Sequence, residues 1–138
     1  MTAAALYHDA LVARARSGHG KGRLTPHDAS ARLDNPLCGD RVTLDLVMRD
    51  GRIAAIGHEV KGCLLCEAAA ATIAESLTGQ TPAEARAMIA AVTALMKEGT
   101  PPDVFEGLDI FTPVHLAKSR RDCVLLPFGA LEKALLPF

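Results

Sequence analysis

Asn35-Pro36-Leu37-Cys38-Gly39-Asp40 sets a thiol and a carboxylate two positions apart, just ahead of a clean strand pattern. Pro36 fixes its own φ and pushes Asn35 toward an extended conformation, while Gly39 can adopt angles closed to other residues. Such a turn can aim Cys38 and Asp40 at one point. Two further stretches carry the remaining cysteines, Gly62-Cys63-Leu64-Leu65-Cys66 and Arg120-Arg121-Asp122-Cys123. Together Cys38, Asp40, Cys63 and Cys123 offer sulfur donors and one carboxylate, a set suited to tetrahedral zinc or to the edge of an iron–sulfur cluster rather than to magnesium or calcium. An oxygen donor leaves more readily than a thiolate, which suits a transfer site better than a permanent staple. Because 25 and then 60 residues separate Cys38, Cys63 and Cys123, folding must assemble such a site.

Other uses of the same residues compete with this one. Cys63 and Cys66 form a C-x-x-C pair, as in dithiol redox proteins, where a helix N-terminus activates the first thiol. The usual βαβ surroundings are missing, and the preceding strand belongs to an antiparallel hairpin. Cys66 is read as a small buried residue on an Ala-rich helix, with a reserve ligand or resolving thiol as the alternatives. Lys118, Arg120 and Arg121 place positive charge beside Cys123, which should favour its thiolate; the alternative is a solvated basic loop. Asp122 is read either as a further donor or as a surface carboxylate, and His58 as a packed residue before a ligand. No phosphate-binding loop, dinucleotide glycine fingerprint or nucleophile elbow is present.

The elements that must position these groups follow from periodicity. Residues 3–16 favour a helix, which Ser17 to Gly22 stops. Leu24 to Leu33 holds at most a short strand around Ala29–Leu33, since Pro26 limits it to an edge or a late start. Val42, Leu44, Leu46 and Met48 alternate with polar positions from Arg41 to Arg49, a strand with one buried face. Asp50-Gly51 signals a tight hairpin turn, and Arg52 to Lys61 returns, with Ala54, Ile56, His58 and Val60 on one face. Cys63 then falls where the strand hands over to a helix carrying the stripe Leu65, Ala68, Ala69, Thr72, Ile73 and Leu77, ended by Gly79. There, unpaired N–H groups and the positive end of the helix dipole stabilise a thiolate. Thr81-Pro82-Ala83-Glu84 is a capping box opening a helix that buries Ala85, Met88, Ile89, Val92, Leu95 and Met96 and ends at Gly99. Val104 to Phe111 is expected to be a short helix or turn anchored by Phe105, Leu108 and Phe111, and a last helix contains Ala130, Leu131, Ala134 and Leu135.

Length and composition set the outer limits. The chain of 138 residues suits a single domain, 1–138, with a core that needs no disulfide support. A formal charge of −1 argues against nucleic acid as a partner. The basic stretch of Arg14, Arg16, Lys21 and Arg23, interleaved with glycines, is read as a solvated flexible loop, with a phosphate or partner contact as the alternative. No window approaches the roughly 18 apolar residues of a membrane span, and no signal peptide is recognised at the N-terminus, where His8 and Asp9 break the apolar run. A cytoplasmic location is expected, and there the four cysteines are thiols, ligands or redox groups before disulfides.

Taken together, Asn35-Pro36-Leu37-Cys38-Gly39-Asp40, Gly62-Cys63 opening an Ala-rich helix, and Arg121-Asp122-Cys123 before a leucine-containing helix resemble the NifU N-terminal, IscU and SufU family of iron–sulfur cluster assembly scaffolds, from about residue 5 onward. The resemblance implies an α+β fold, a three-stranded antiparallel sheet packed against helices, with the three cysteine loops meeting at one end. It implies that Cys38, Asp40, Cys63 and Cys123 hold iron, a transient [2Fe-2S] cluster, or zinc. Sulfur would arrive from a pyridoxal-phosphate-dependent cysteine desulfurase as a persulfide on Cys123 or Cys38, and the product would pass to recipient apo-proteins or cluster carriers. This describes a non-enzymatic scaffold, with a SufU-type zinc-dependent sulfurtransferase as the alternative. IscU-type members carry a histidine where Asp122 stands, so an equivalent ligand would have to come from His115; the inserted stretch typical of SufU members is not evident, and Cys66 falls where neither type usually has a cysteine. A zinc-stapled interaction domain is a third reading.

Overall fold

The computed structural model describes residues 8–37, 39–100 and 105–138. Its sheet follows from the alternation in the chain. Strands β1 (Ala29–Asn35), β2 (Asp40–Arg49) and β3 (Arg52–Lys61) lie in the order β1-β2-β3, antiparallel throughout. Val42, Leu44 and Leu46 are fully buried on the face that carries the core. Asp50 and Gly51 both take left-handed φ values, +54° and +75°, the geometry that a two-residue hairpin demands. β1 extends beyond the expected Leu33 to Asn35, which pairs with Asp40. Pro36, Leu37 and Gly39 therefore belong to the turn of a second hairpin; Gly39, at φ +74°, donates its N–H to the Asn35 carbonyl at 2.8 Å.

One strand expectation is corrected. Ile53, not Ala54, is on the core face, because Val47 pairs with Ala55 and Met48 with Ile53, leaving Ala54 as the extra residue of a bulge. A bulge shifts the inside-outside alternation by one position, so Ala54 is exposed.

Helix α1 (Asp9–Arg16) covers the described part of the expected 3–16 helix; residues 3–7 lie outside the described residues. Helix α2 (Leu64–Leu77) buries ten of its 14 residues, more than the one stripe expected. Ala70, Ala71 and Ala74 join that stripe because α1, β3 and the last helix pack around α2, and small side chains let them approach. Helix α3 (Pro82–Glu98) buries the expected face, with Thr81 Oγ1 accepting from Glu84 N–H at 3.2 Å and Gly99 closing the helix at φ +75°. A 3₁₀ run, Glu106–Leu116, is anchored by buried Leu108 and Phe111 and partly buried Phe105; Val104 lies outside the described residues. Helix α4 (Lys118–Ala134) then packs on β1, β2 and α2.

The basic glycine stretch is exposed, as expected of a solvated loop, but it is pinned to β3. Gly22 donates to the His58 carbonyl at 2.7 Å, His58 N–H donates to the Gly20 carbonyl at 2.8 Å, and His58 Nε2 donates to the His19 carbonyl at 2.7 Å. Burial, together with nearby Lys21, holds the His58 imidazole below its usual range, although the His19 carbonyl and Glu67 oppose this. Arg14 reaches Thr72 Oγ1 at 2.8 Å and Glu75 at 3.2 Å, tying α1 to α2. Arg23 crosses the outer sheet face to fully buried Asp45 (2.7 and 3.1 Å), whose carboxylate also accepts from Leu24 N–H and Ser30 Oγ. No helix among the described residues is long and apolar enough to cross a membrane.

Candidate metal centre

Three of the four sequence-derived ligands meet at one end of the sheet. An oxygen of Asp40 and the sulfurs of Cys63 and Cys123 all lie within 4.8 Å of one another. Cys38 lies outside the described residues. Each of the three is placed by a different local rule. Asp40 opens β2 in phase with Val42, Leu44 and Leu46, so pairing with Asn35 turns its side chain inward, where it is 7% exposed. Cys63 occupies the N-cap position of α2 with extended backbone (φ −78°, ψ 173°), and its side chain accepts no capping hydrogen bond, leaving its sulfur at the N–H end of the dipole. Cys123 is in the second turn of α4, 1% exposed.

That last placement corrects the sequence reading, which put Cys123 ahead of a last helix containing Ala130, Leu131, Ala134 and Leu135. The helix starts at Lys118 and runs through Pro127. Proline has no N–H for the carbonyl four residues earlier, and four residues before Pro127 is Cys123. The helical ladder is thus interrupted at the site residue itself, and Pro127 hid the helix from a periodicity argument.

The expected thiolate character is also reversed. Burial, the neighbouring Cys63 sulfur with its hydrogen bond, and the Asp40 charge push the Cys123 thiol up to about 12, and the hydrogen bond from Arg120 pulls only partly the other way. Positive charge on Arg120 is present, but desolvation and two anionogenic neighbours outweigh it.

The sequence alone assigns Gly62 no role, and the structure gives it one. A Cβ there would come within 3.0 Å of both Cγ and Oδ1 of Asp40. The missing side chain is what lets β3 pass the carboxylate so closely. A glycine directly before the first thiol of the helix was the available signal.

The residues held in reserve separate from the centre. Cys66 is fully buried in the core. Asp122 is exposed and lines an open cleft with Asn35, Pro36, Leu125 and Leu126. His115 is tied elsewhere, its Nδ1 donating to the Met96 carbonyl at 2.8 Å while its ring packs on Gly99; it does not supply the missing histidine. His58 is packed by the hydrogen bonds given above and is not part of the cluster.

The donor set fits a metal ion. Oδ2 of Asp40 is buried without a hydrogen-bond partner among the described residues, an arrangement that costs about 1–3 kcal/mol or more unless a cation or donor meets it. Two sulfurs and one oxygen select zinc or iron over harder ions, and a bound cation supplies the positive charge that the Cys123 thiol needs to lose its proton.

Relatives agree with the architecture. The family described as NifU-like N terminal domain matches residues 6–138. The iron–sulfur cluster assembly scaffold protein IscU of Thermotoga maritima is 24% identical over 131 residues, covering 94% of this chain and 92% of that protein. The namesake from Streptococcus pyogenes serotype M1 is 25% identical over 133 residues, covering 94% and 82%. Among solved structures, a NifU-like N-terminal protein from Brucella abortus superposes with a TM-score of 0.90 at 33% identity, over 96% of this chain and 93% of that one. A SUF-system scaffold protein from Fervidobacterium islandicum shares the fold with a TM-score of 0.88 at 24% identity, over 97% and 99%. This chain belongs to the NifU-like N-terminal domain family.

Proposed function

We propose that the chain is an iron–sulfur cluster assembly scaffold that holds iron or a nascent [2Fe-2S] cluster through Cys38, Asp40, Cys63 and Cys123 and accepts sulfur from a pyridoxal-phosphate-dependent cysteine desulfurase. The observation that carries this reading is the convergence of Asp40, Cys63 and Cys123 within 4.8 Å, together with the relatives' scaffold role. Sulfur arrival is a thiol–disulfide-type exchange. A scaffold thiolate, Cys123 or Cys38, attacks the outer sulfur of the donor's cysteine persulfide. One S–S bond forms as the donor's S–S bond breaks, and the donor cysteine leaves as a thiolate, with no external oxidant or reductant required. Asp40 is the exchangeable ligand, and recipient apo-proteins or cluster carriers take the product.

A second reading, a zinc-dependent sulfurtransferase of SufU type, is favoured by exposed Asp122 in the place of a histidine and by the engagement of His115 with Met96. A Cys63/Cys66 dithiol function has no comparable support, since Cys66 has no exposed surface for an outside disulfide to reach. The test is anaerobic incubation with a cysteine desulfurase, cysteine and iron, read for persulfide first and for labile sulfide after dithiothreitol has supplied the two electrons that turn each persulfide sulfur into sulfide. A scaffold gains iron and acid-labile sulfide in equal amounts; a zinc sulfurtransferase gains persulfide while keeping zinc and no labile sulfide; failure to gain any of these overturns both readings.

A further inference from the structure

Helix α4 breaks a local rule at one position, and that position is set against the metal centre. Pro127 is buried in the middle of Lys118–Ala134, where proline is the least favourable residue. Two effects of its ring fall on one neighbour. Proline offers no N–H to the carbonyl four positions earlier, and in an ideal helix its ring collides with that same carbonyl. The carbonyl belongs to Cys123. A helix accommodates this by bending or by shifting the peptide concerned, so the backbone that carries the thiol is released from the regular ladder.

The two sides of the interruption are held differently. On the C-terminal side α4 is clamped to the sheet. Phe128, Ala130, Leu131 and Ala134 are buried, and Gly129 meets β1 so closely that a Cβ would come within 2.8 Å of Leu33 Cδ1. On the N-terminal side Lys118, Ser119 and Asp122 are exposed, and Ala117 provides no side-chain cap. Of residues 118–126, Cys123 and Val124 alone are buried. In an unbroken helix the place of the Cys123 sulfur would follow rigidly from the seat of Gly129 on Leu33. Instead the sulfur stands within 4.8 Å of the ligand atoms of Asp40 and Cys63. A local rule broken at a cost, beside a cluster of donor atoms, is where a functional reason is sought.

We propose that Pro127 is a positioning residue for the centre: it withholds the hydrogen bond that would fix the Cys123 peptide in the ladder, and so lets the sulfur take the place that an ion held by Asp40 and Cys63 requires. Pro127→Ala restores the N–H, and Pro127→Val restores it while keeping most of the buried bulk. Both variants should bind zinc about tenfold more weakly, measured by chelator competition. With cobalt in place of zinc, both should show weaker sulfur-to-metal charge-transfer absorption. The urea midpoint of zinc-free Pro127→Val should equal or exceed that of wild type, because a helix-breaking residue has gone. Unchanged zinc affinity in both variants, unchanged cobalt spectra, or an affinity loss that appears only where the urea midpoint also falls would each overturn the proposal. The role rests on the scaffold reading's assignment of Cys123 as a ligand, so wild type and Cys123→Ser are measured alongside. Equal zinc binding by those two removes that reading and the proposal together, whereas weakened binding by Cys123→Ser beside unaffected proline variants removes the proposal alone.

Discussion

Replacing Gly62 by alanine tests how closely the metal centre is built. The added methyl would sit 3.0 Å from both Cγ and Oδ1 of Asp40, so the carboxylate or the β3 to α2 junction must give by a few tenths of an ångström. Metal–oxygen bonds tolerate about 0.2 Å of misplacement, so the displaced oxygen no longer reaches an ion held by the sulfurs. Loss of that geometry should weaken zinc binding by about 10- to 100-fold, equivalent to about 1.4–2.7 kcal/mol. Competition against a chelator of known affinity measures this, and urea unfolding of the zinc-free protein checks that the fold is retained within about 1 kcal/mol. Because Gly62 acts through Asp40, the double variant Gly62→Ala, Asp40→Ala should bind no more weakly than Asp40→Ala alone. Wild-type affinity in Gly62→Ala, or additive losses in the double variant, would refute the assignment of Gly62 as the spacer for the carboxylate.

Asp45→Asn should destabilise the protein by about 2–3 kcal/mol at pH 7, read from the urea midpoint. Burial pushes the Asp45 carboxyl up, yet hydrogen bonds from Arg23, Ser30 and Leu24 and the charge of Arg23 together hold it below the usual carboxylate range. Its contribution is therefore complete above the unfolded value of about 3.9 and is lost as pH falls through the lower folded value, so the variant should lose less stability on acidification than wild type. Thr81→Ala removes the acceptor for Glu84 N–H and should lower stability by about 1 kcal/mol with zinc affinity unchanged. Cys66→Ala should keep both zinc affinity and sulfur acceptance, at a modest loss of core packing; loss of sulfur acceptance in a folded, zinc-binding variant would restore a chemical role for Cys66.

Much of this was legible before any coordinates. Alternation from Arg41 to Lys61 and the Asp50-Gly51 turn determined the central hairpin, and the Thr81-Pro82 cap determined α3, because both signals are local. Asp40 and Cys63 were legible for the same reason, one set two positions from a thiol in a Pro/Gly turn and the other falling at a change of period. What escaped was set by distant neighbours. Ala54 bulges without any change in composition. Asp45 lies on the polar phase of β2, and only the arrival of Arg23 and Leu24 buries it. Arg14 looked solvated until α2 supplied Thr72 and Glu75. Cys123 was put ahead of the last helix because Pro127 argues against a helix that tertiary packing on β1, β2 and α2 sustains.

X-ray absorption at the edge of the bound metal, zinc or iron, compared between wild type and Cys123→Ser, addresses the shared centre most directly. The account predicts about three sulfur donors near 2.3 Å and one oxygen near 2.0 Å for zinc, with one sulfur lost in the variant. A shell of nitrogen and oxygen alone, or a sulfur count that the substitution leaves unchanged, would contradict it.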